Sequence, residues 1–297
     1  MYYTGFADEA SEGIDGQINA IKQLGWSHIE LRAVNKTNIT DIDDDLFDEV
    51  ADKLDAAGIR CNAFGSTVAN WGKSILEPMD SSLAEIERAI PRMKRLNVPY
   101  VRIMSFGILP GRGPEDQMVE ERIDRLQKIV DLFAAEGLQA LHENCANYGG
   151  MGWQFTRELL EGVNGLKLIF DTANAGISLD RSRPEPYPTQ DAWEFYQAVK
   201  EHILHVHIKD GVFKAENPDS IFEDADYTFP GEGNGQVRRI VGDLLANGYD
   251  GGLSIEPHLS VVFHDDSAQA SDEARFASFV EYGKRLEAIV RDVQALA

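Results

Sequence analysis

Cysteine is scarce in this chain of 297 residues: Cys61 and Cys145 stand far apart and in no metal-type spacing. That excludes a disulfide scaffold and a cysteine-built zinc site, and reduced cytosolic thiols are the plain expectation. Basic residues are also few. Twenty-eight Lys and Arg face 50 Asp and Glu, giving a formal net charge of −22. A surface that negative repels phosphate backbones and anionic membranes, which argues against nucleic acid as a partner. No apolar run reaches the length of a membrane span, and the opening MYYTGFADEA has no basic leader. The expectation is a soluble, cytoplasmic protein with no membrane partner. A glycine-rich nucleotide turn is missing too. GFADEAS is not one, and GEGNG (231–235) lacks the Lys-Ser/Thr of a phosphate loop and does not directly follow a strand. It reads as a turn before a helix, with Glu232 a candidate to face a substrate.

What is present is a repeat. The chain is 43% hydrophobic, and a short β-rich run, a polar loop, an amphipathic helix and a tight turn recur about eight times. The strand candidates are 2–7, 27–32, 59–64, 100–105, 138–143, 166–171, 203–208 and 252–257. Helical spacing of apolar residues marks 15–24, 44–57, 81–97, 116–136 and 272–294, among others. Gly25, Gly58, Gly137 and Gly248 sit where helices hand over to strands, and Asn97 does the same before the fourth strand. These joints are short. The strand-to-helix joints 65–80, 105–115, 144–153, 172–189 and 209–234 are long and rich in Gly, Pro, Asn, Trp and Tyr. Strict alternation implies a parallel sheet, and eight repeats imply closure into a single (β/α)8 barrel, one domain over 1–297. The long loops then share the C-terminal mouth, where such barrels place their chemistry.

The run ILHVHIKDG (203–211) puts His205, His207 and Lys209 on one face and Val206 and Ile208 on the other. Other strands alternate alike: Glu30 and Arg32 oppose Ile29 and Leu31, Arg102 opposes Val101 and Ile103, Asp171 opposes Phe170, and Glu256 opposes Ile255. In a barrel the apolar face packs under helices and the polar face looks into the lumen. Glu143, Asp171, His207 and Glu256 stand at or near the ends of four consecutive strands. A single strand-end carboxylate is an ordinary hydrogen-bond acceptor, and a lone strand histidine an ordinary buried group. Three carboxylates aimed at one point, however, do not all stay ionised without a cation. Oxygen-rich ligation with one nitrogen favours Mn²⁺ or Mg²⁺, with Co²⁺ or Zn²⁺ as alternatives.

LHENCANYGG, LIFDTANAG, HVHIKDG and GYDGGLSIEPH resemble the fifth- to eighth-strand motifs of the sugar phosphate isomerase/epimerase superfamily of xylose-isomerase-like barrels. The resemblance spans nearly the whole chain. It implies that Glu143, Asp171, His207 and Glu256 are metal ligands and that His205 lies a layer deeper. Many relatives carry a histidine three residues after the sixth-strand Asp, touching substrate or a further metal. Here that position is Asn174, which weakens any comparison with the related multi-zinc endonuclease IV.

The resemblance also implies proton transfer beside a carbonyl. Loss of the hydrogen next to a ketone leaves an enediolate, whose charge a divalent cation stabilises. Glu143 and Glu256 are suited to be the two bases. Lys209 is a candidate to hold a substrate oxygen, or else pairs with Asp210 or Glu232. Arg102 and Arg32 either bind substrate or neutralise Glu30 and the carboxylates, the second use being favoured for Arg32. His258, Asn174, Trp71 and Trp153 complete the candidate substrate contacts. Arg183 is the loop cation suited to a phosphate; few such residues lie in the mouth loops, which favours an unphosphorylated keto-sugar. A lyase resembling inosose dehydratase, a non-catalytic sugar- or metal-binding barrel and a nuclease are the competing readings. By analogy with similar barrels, the outer helices offer a surface for a homo-oligomer.

Overall fold

The structure, a computed structural model, describes residues 1–217, 220–260 and 270–295. Eight strands make one parallel sheet: β1 (Tyr2–Gly5), β2 (His28–Leu31), β3 (Arg60–Phe64), β4 (Tyr100–Ile103), β5 (Gln139–Glu143), β6 (Lys167–Asp171), β7 (Ile203–Ile208) and β8 (Gly252–Ile255). Each is followed by a helix: α1 (Ile14–Gln23), α2 (Asp44–Ala57), α3 (Asp80–Leu96), α4 (Val119–Ala134), α5 (Trp153–Gly162), α6 (Ala192–Val199), α7 (Val237–Ala246) and α8 (Asp272–Ala295). The strands pair in sequence from β2 round to β8, and β8 pairs with β1. The seam between β1 and β2 closes through a single bridge, Phe6 to Glu30. The result is the expected (β/α)8 barrel, nearly closed, with its helices outside.

Local chemistry sets these boundaries. The Asp43 carboxylate accepts from Leu46 N at 2.8 Å and starts α2. Gly58 and Gly137 take φ of +68° and +75°, the left-handed turn that ends a helix, two positions before the next strand begins. Asn97 does this with a side chain, at φ +53°. The outward strand residues, Val101, Ile103, Leu168, Phe170, Val206 and Ile208 among them, join the helices in one buried apolar cluster. Full burial of each such side chain is worth about 1.5–3 kcal/mol. That leaves the alternate positions for the lumen.

The structure differs from expectation in the joint 209–234, which is not all loop. Gly211–Ala215 and Asp224–Tyr227 form an antiparallel ribbon over the mouth. None of the described helices is long and apolar enough to cross a membrane.

Candidate active site

Register delivers the four strand-end residues to one place. Asp171 of β6 lies opposite His207 of β7, and His207 lies opposite Ser254 of β8. Glu143 ends β5, and Glu256 follows β8, its N–H donating to Ile208 O at 3.1 Å. Ligand atoms of Glu143, Asp171, His207 and Glu256 all lie within 4.8 Å of one another, and all four residues are buried.

Each member is held by a neighbour. His207 Nδ1 faces Glu143 Oε1 at 3.1 Å and Glu256 Oε2 at 3.7 Å. Arg102 Nη1 meets Glu143 Oε2 at 3.2 Å. Arg32 Nη1 meets Glu256 Oε1 at 2.6 Å, and Lys209 Nζ meets Glu256 Oε2 at 3.2 Å. Asp171 Oδ1 caps the turn Thr172–Gly176 by accepting from Asn174 N at 2.8 Å. Asn144 clamps the same residue's backbone, accepting from Asp171 N at 2.7 Å and donating to Asp171 O at 3.0 Å. Beneath them His205 Nε2 lies 2.7 Å from Glu30 Oε2, so His205 sits a layer deeper, as expected.

These neighbours decide the charges. Burial alone would push Glu256 up, but Lys209, His258, Arg32 and His207 together hold it well below the usual carboxylate range. Burial is likewise outweighed at Glu143, by Arg102 and His207. Asp171 goes the other way: burial lifts it to about 6, with Lys209 opposing and Glu256 and Glu143 adding to the rise. His207 is raised to about 10, because Glu30 and Glu143 overcome its burial.

The donor set fits a divalent cation. Three carboxylates and an imidazole converge, and the buried Asp171 Oδ2 has no hydrogen-bond donor in line among the described residues, although Lys209 Nζ stands 3.1 Å away. The four groups would hold the ion on the oxygen-rich terms of Mn²⁺ or Mg²⁺.

A cavity of about 310 Å³ opens above the cluster. Its walls include Arg32, Trp71, Arg102, Glu143, Asn174, Lys209, Glu256 and His258, so most of the sequence-derived contacts meet here. Trp153 does not. It begins α5 outside this cavity, and its indole N–H donates to Glu194 at 3.1 Å, because the joint after β5 folds into a 3-10 turn before it. Arg183 also lies elsewhere, paired with Asp180 and Glu194. Glu232 pairs with Arg285 of α8 on the surface. Lys209 pairs with neither Asp210 nor Glu232 but with Asp171 and Glu256. Arg32 neutralises Asp8, Glu9 and Glu256, while Glu30 is met by His205 and His207.

Three site residues go unnoticed in the sequence. Asp8 and Glu9, in the turn after β1, hold Arg32, and Glu9 accepts from His258 N at 2.7 Å. Their signal is an acidic pair directly after a strand, at the mouth. Tyr227, from the ribbon, lines the cavity with its ring edge-on to His258 at 5.0 Å; no local pattern marks it.

A parallel eight-stranded barrel with a carboxylate–histidine cluster at its C-terminal mouth defines the class. The chain belongs to the xylose isomerase-like TIM barrel family, whose model matches residues 18–278. No curated protein sequence matches it significantly. Solved structures share the fold at low identity. A 3-keto-D-glucoside 4-epimerase from E. coli is 17% identical, with a TM-score of 0.67 over 97% of this chain and 100% of that one. A "probable 3-DHS dehydratase" from Bacillus anthracis is 16% identical, with a TM-score of 0.69 over 97% and 99%. A xylose isomerase-like barrel from Mycobacterium smegmatis, in complex with magnesium, is 15% identical, with a TM-score of 0.66 over 97% of each chain.

Proposed function

We propose that this chain is a divalent-metal-dependent isomerase or epimerase of a keto-sugar, working by proton transfer through an enediolate. The observation that carries the reading is the pair Glu143 and Glu256, which flank His207 Nδ1 at 3.1 and 3.7 Å beneath one cavity. Both carboxylates are held ionised, the form that a general base requires. A divalent cation, when bound by Glu143, Asp171, His207 and Glu256, supplies a Lewis acid for the carbonyl and the neighbouring hydroxyl. Lys209 puts an ammonium, His258 an imidazole and Asn174 an amide on the cavity wall for substrate oxygens. Trp71 offers an aromatic face, held edge-on against Phe222 at 5.1 Å. Arg32, Lys36, Arg102 and Lys209 on the walls each already pair with a carboxylate. That favours an uncharged sugar over a phosphorylated one.

A dehydratase is the second reading. His258 Nε2 lies 3.8 Å from Glu256 Oε1, an imidazole beside a carboxylate, and loss of a β-hydroxyl calls for two such proton-transferring groups. The test is product analysis after incubating the Mn²⁺-loaded protein with a panel of keto-sugars. An epimer or aldose supports the first reading, and a product lighter by one water supports the second. No conversion of any member, or conversion that persists in excess chelator, would contradict both.

A further inference from the structure

Glu30 projects from β2 into the lumen below the cluster, with about 1% of its surface exposed. Its two oxygens are divided between two rings: Oε2 lies 2.7 Å from His205 Nε2, and Oε1 lies 3.2 Å from His207 Nε2. His207 therefore has its two nitrogens in different settings. Nε2 points down at Glu30, and Nδ1 points up at Glu143 and Glu256. The ring is wedged as well. Phe6 stands edge-on at 4.9 Å and the His205 ring crosses it nearly perpendicular at 5.5 Å. Gly252 makes room for His205, since a Cβ there would stand 2.8 Å from His205 Cε1. Among the described residues none of Glu30, His205 and His207 lines the cavity.

An ionised carboxylate only accepts hydrogen bonds, so once a cation takes the place of the proton on Nδ1, the Nε2 that meets Glu30 keeps its hydrogen and the electron pair stays on Nδ1. We propose that Glu30 is a positioning residue that presents His207 Nδ1 to the divalent cation, with His205 as the strut that keeps Glu30 in place. The inference rests on the reading that Glu143, Asp171, His207 and Glu256 hold that cation. It assigns no ion to Glu30 itself. Glu30, His205 and His207 also form a metal-type group, but ligation there would compete for the nitrogen that faces Glu30. Glu30 and His205 are thus left without an ion of their own.

The test is Mn²⁺ binding to the metal-free full chain, followed by electron paramagnetic resonance, for wild type, Glu30→Gln and His205→Asn. The expected result is one equivalent for each, weakened about 10- to 100-fold in Glu30→Gln and less in His205→Asn. A second readout separates positioning from mere support. With Zn²⁺ bound, proton–nitrogen correlation spectra should show His207 protonated on Nε2 in wild type, and a mixture of ring states in Glu30→Gln. Wild-type affinity and an unmixed ring in Glu30→Gln would overturn the inference. So would a stoichiometry of two that falls to one in that variant. Should Glu30→Gln not fold, undiminished affinity in His205→Asn overturns it instead. Failure of the wild type to bind Mn²⁺ at all would instead overturn the cation reading on which it rests.

Discussion

The Lys209 ammonium lies 3.1 Å from Asp171 Oδ2, a buried oxygen without a hydrogen bond among the described residues. The same ammonium reaches Glu256 Oε2 at 3.2 Å. Lys209 thereby spans two of the four converging groups. Burial works against its charge, but Asp171 and Glu256 hold it well above the ordinary lysine value. Without a bound ion, it carries part of the positive charge that the carboxylates require.

Lys209→Met should therefore destabilise the metal-free protein by about 3–5 kcal/mol, the usual consequence of breaking a buried pair from one side. Urea unfolding in the presence of a chelator measures it. Added Mn²⁺ should restore more stability to the variant than to wild type, since a cation then replaces the lost charge. Equal stability of the two proteins without metal would contradict this role.

Asp210 organises the glycine turn that leads into α7. Its oxygens accept from Gly231 N at 2.8 Å, Gly233 N at 3.1 Å, Gly235 N at 2.8 Å and Gly211 N at 3.0 Å. A Cβ on Gly233 would stand 2.4 Å from Asp210 Oδ1, so the close wrap needs glycine there. Asp210→Asn turns an amide N–H₂ towards two of those donors and should cost about 2–4 kcal/mol. Hydrogen exchange should quicken at Gly231, Gly233 and Gly235. The ribbon beside them carries Tyr227, so the variant should also bind substrate more weakly. Unchanged exchange at those amides would contradict this account of the turn.

Much of this was legible in the chain, for physical reasons. β7 keeps its expected bounds, and the other strands fall short of theirs by one or two residues. The lumen ring was readable because strand side chains alternate strictly, so Glu143, Asp171 and His207 had to share a side once their strands were adjacent. Partners across the lumen were not. Arg32, just past β2 and on the same side as Glu30, neutralises a cluster carboxylate as expected but not Glu30, because successive same-side residues in a strand point in parallel. Arg32 instead reaches Asp8 and Glu256, and Glu30 reaches β7. The ribbon was missed because GVFKA and DADY lack alternation with an apolar face: Val212, Lys214 and Asp224 are exposed. Trp153 was misplaced because sequence does not say which loop aromatics turn inward.

His142, next to Glu143 on β5, supplies a pH prediction. Burial pushes it down to about 4 from its ordinary 6.5, against smaller opposing pulls from Asn147 and Glu143. Between those values the unfolded chain takes up a proton that the folded chain refuses, so stability falls as pH falls. The contribution is about 1.4 kcal/mol per pH unit, present in full above pH 6.5 and exhausted near pH 4. Urea unfolding at stepped pH should give a steeper acid slope for wild type than for His142→Asn. Identical slopes would contradict a neutral, buried His142.

The central claim is that Glu143 and Glu256 move a proton beside a carbonyl. Its most direct test is deuterium wash-in: the Mn²⁺-loaded protein is incubated with keto-sugars in D₂O, and the label next to the carbonyl is read by NMR. At least one sugar should take up deuterium there with wild type, and uptake should fall at least about 100-fold in Glu143→Gln and in Glu256→Gln. No uptake with any sugar, or undiminished uptake in both variants, would contradict the claim.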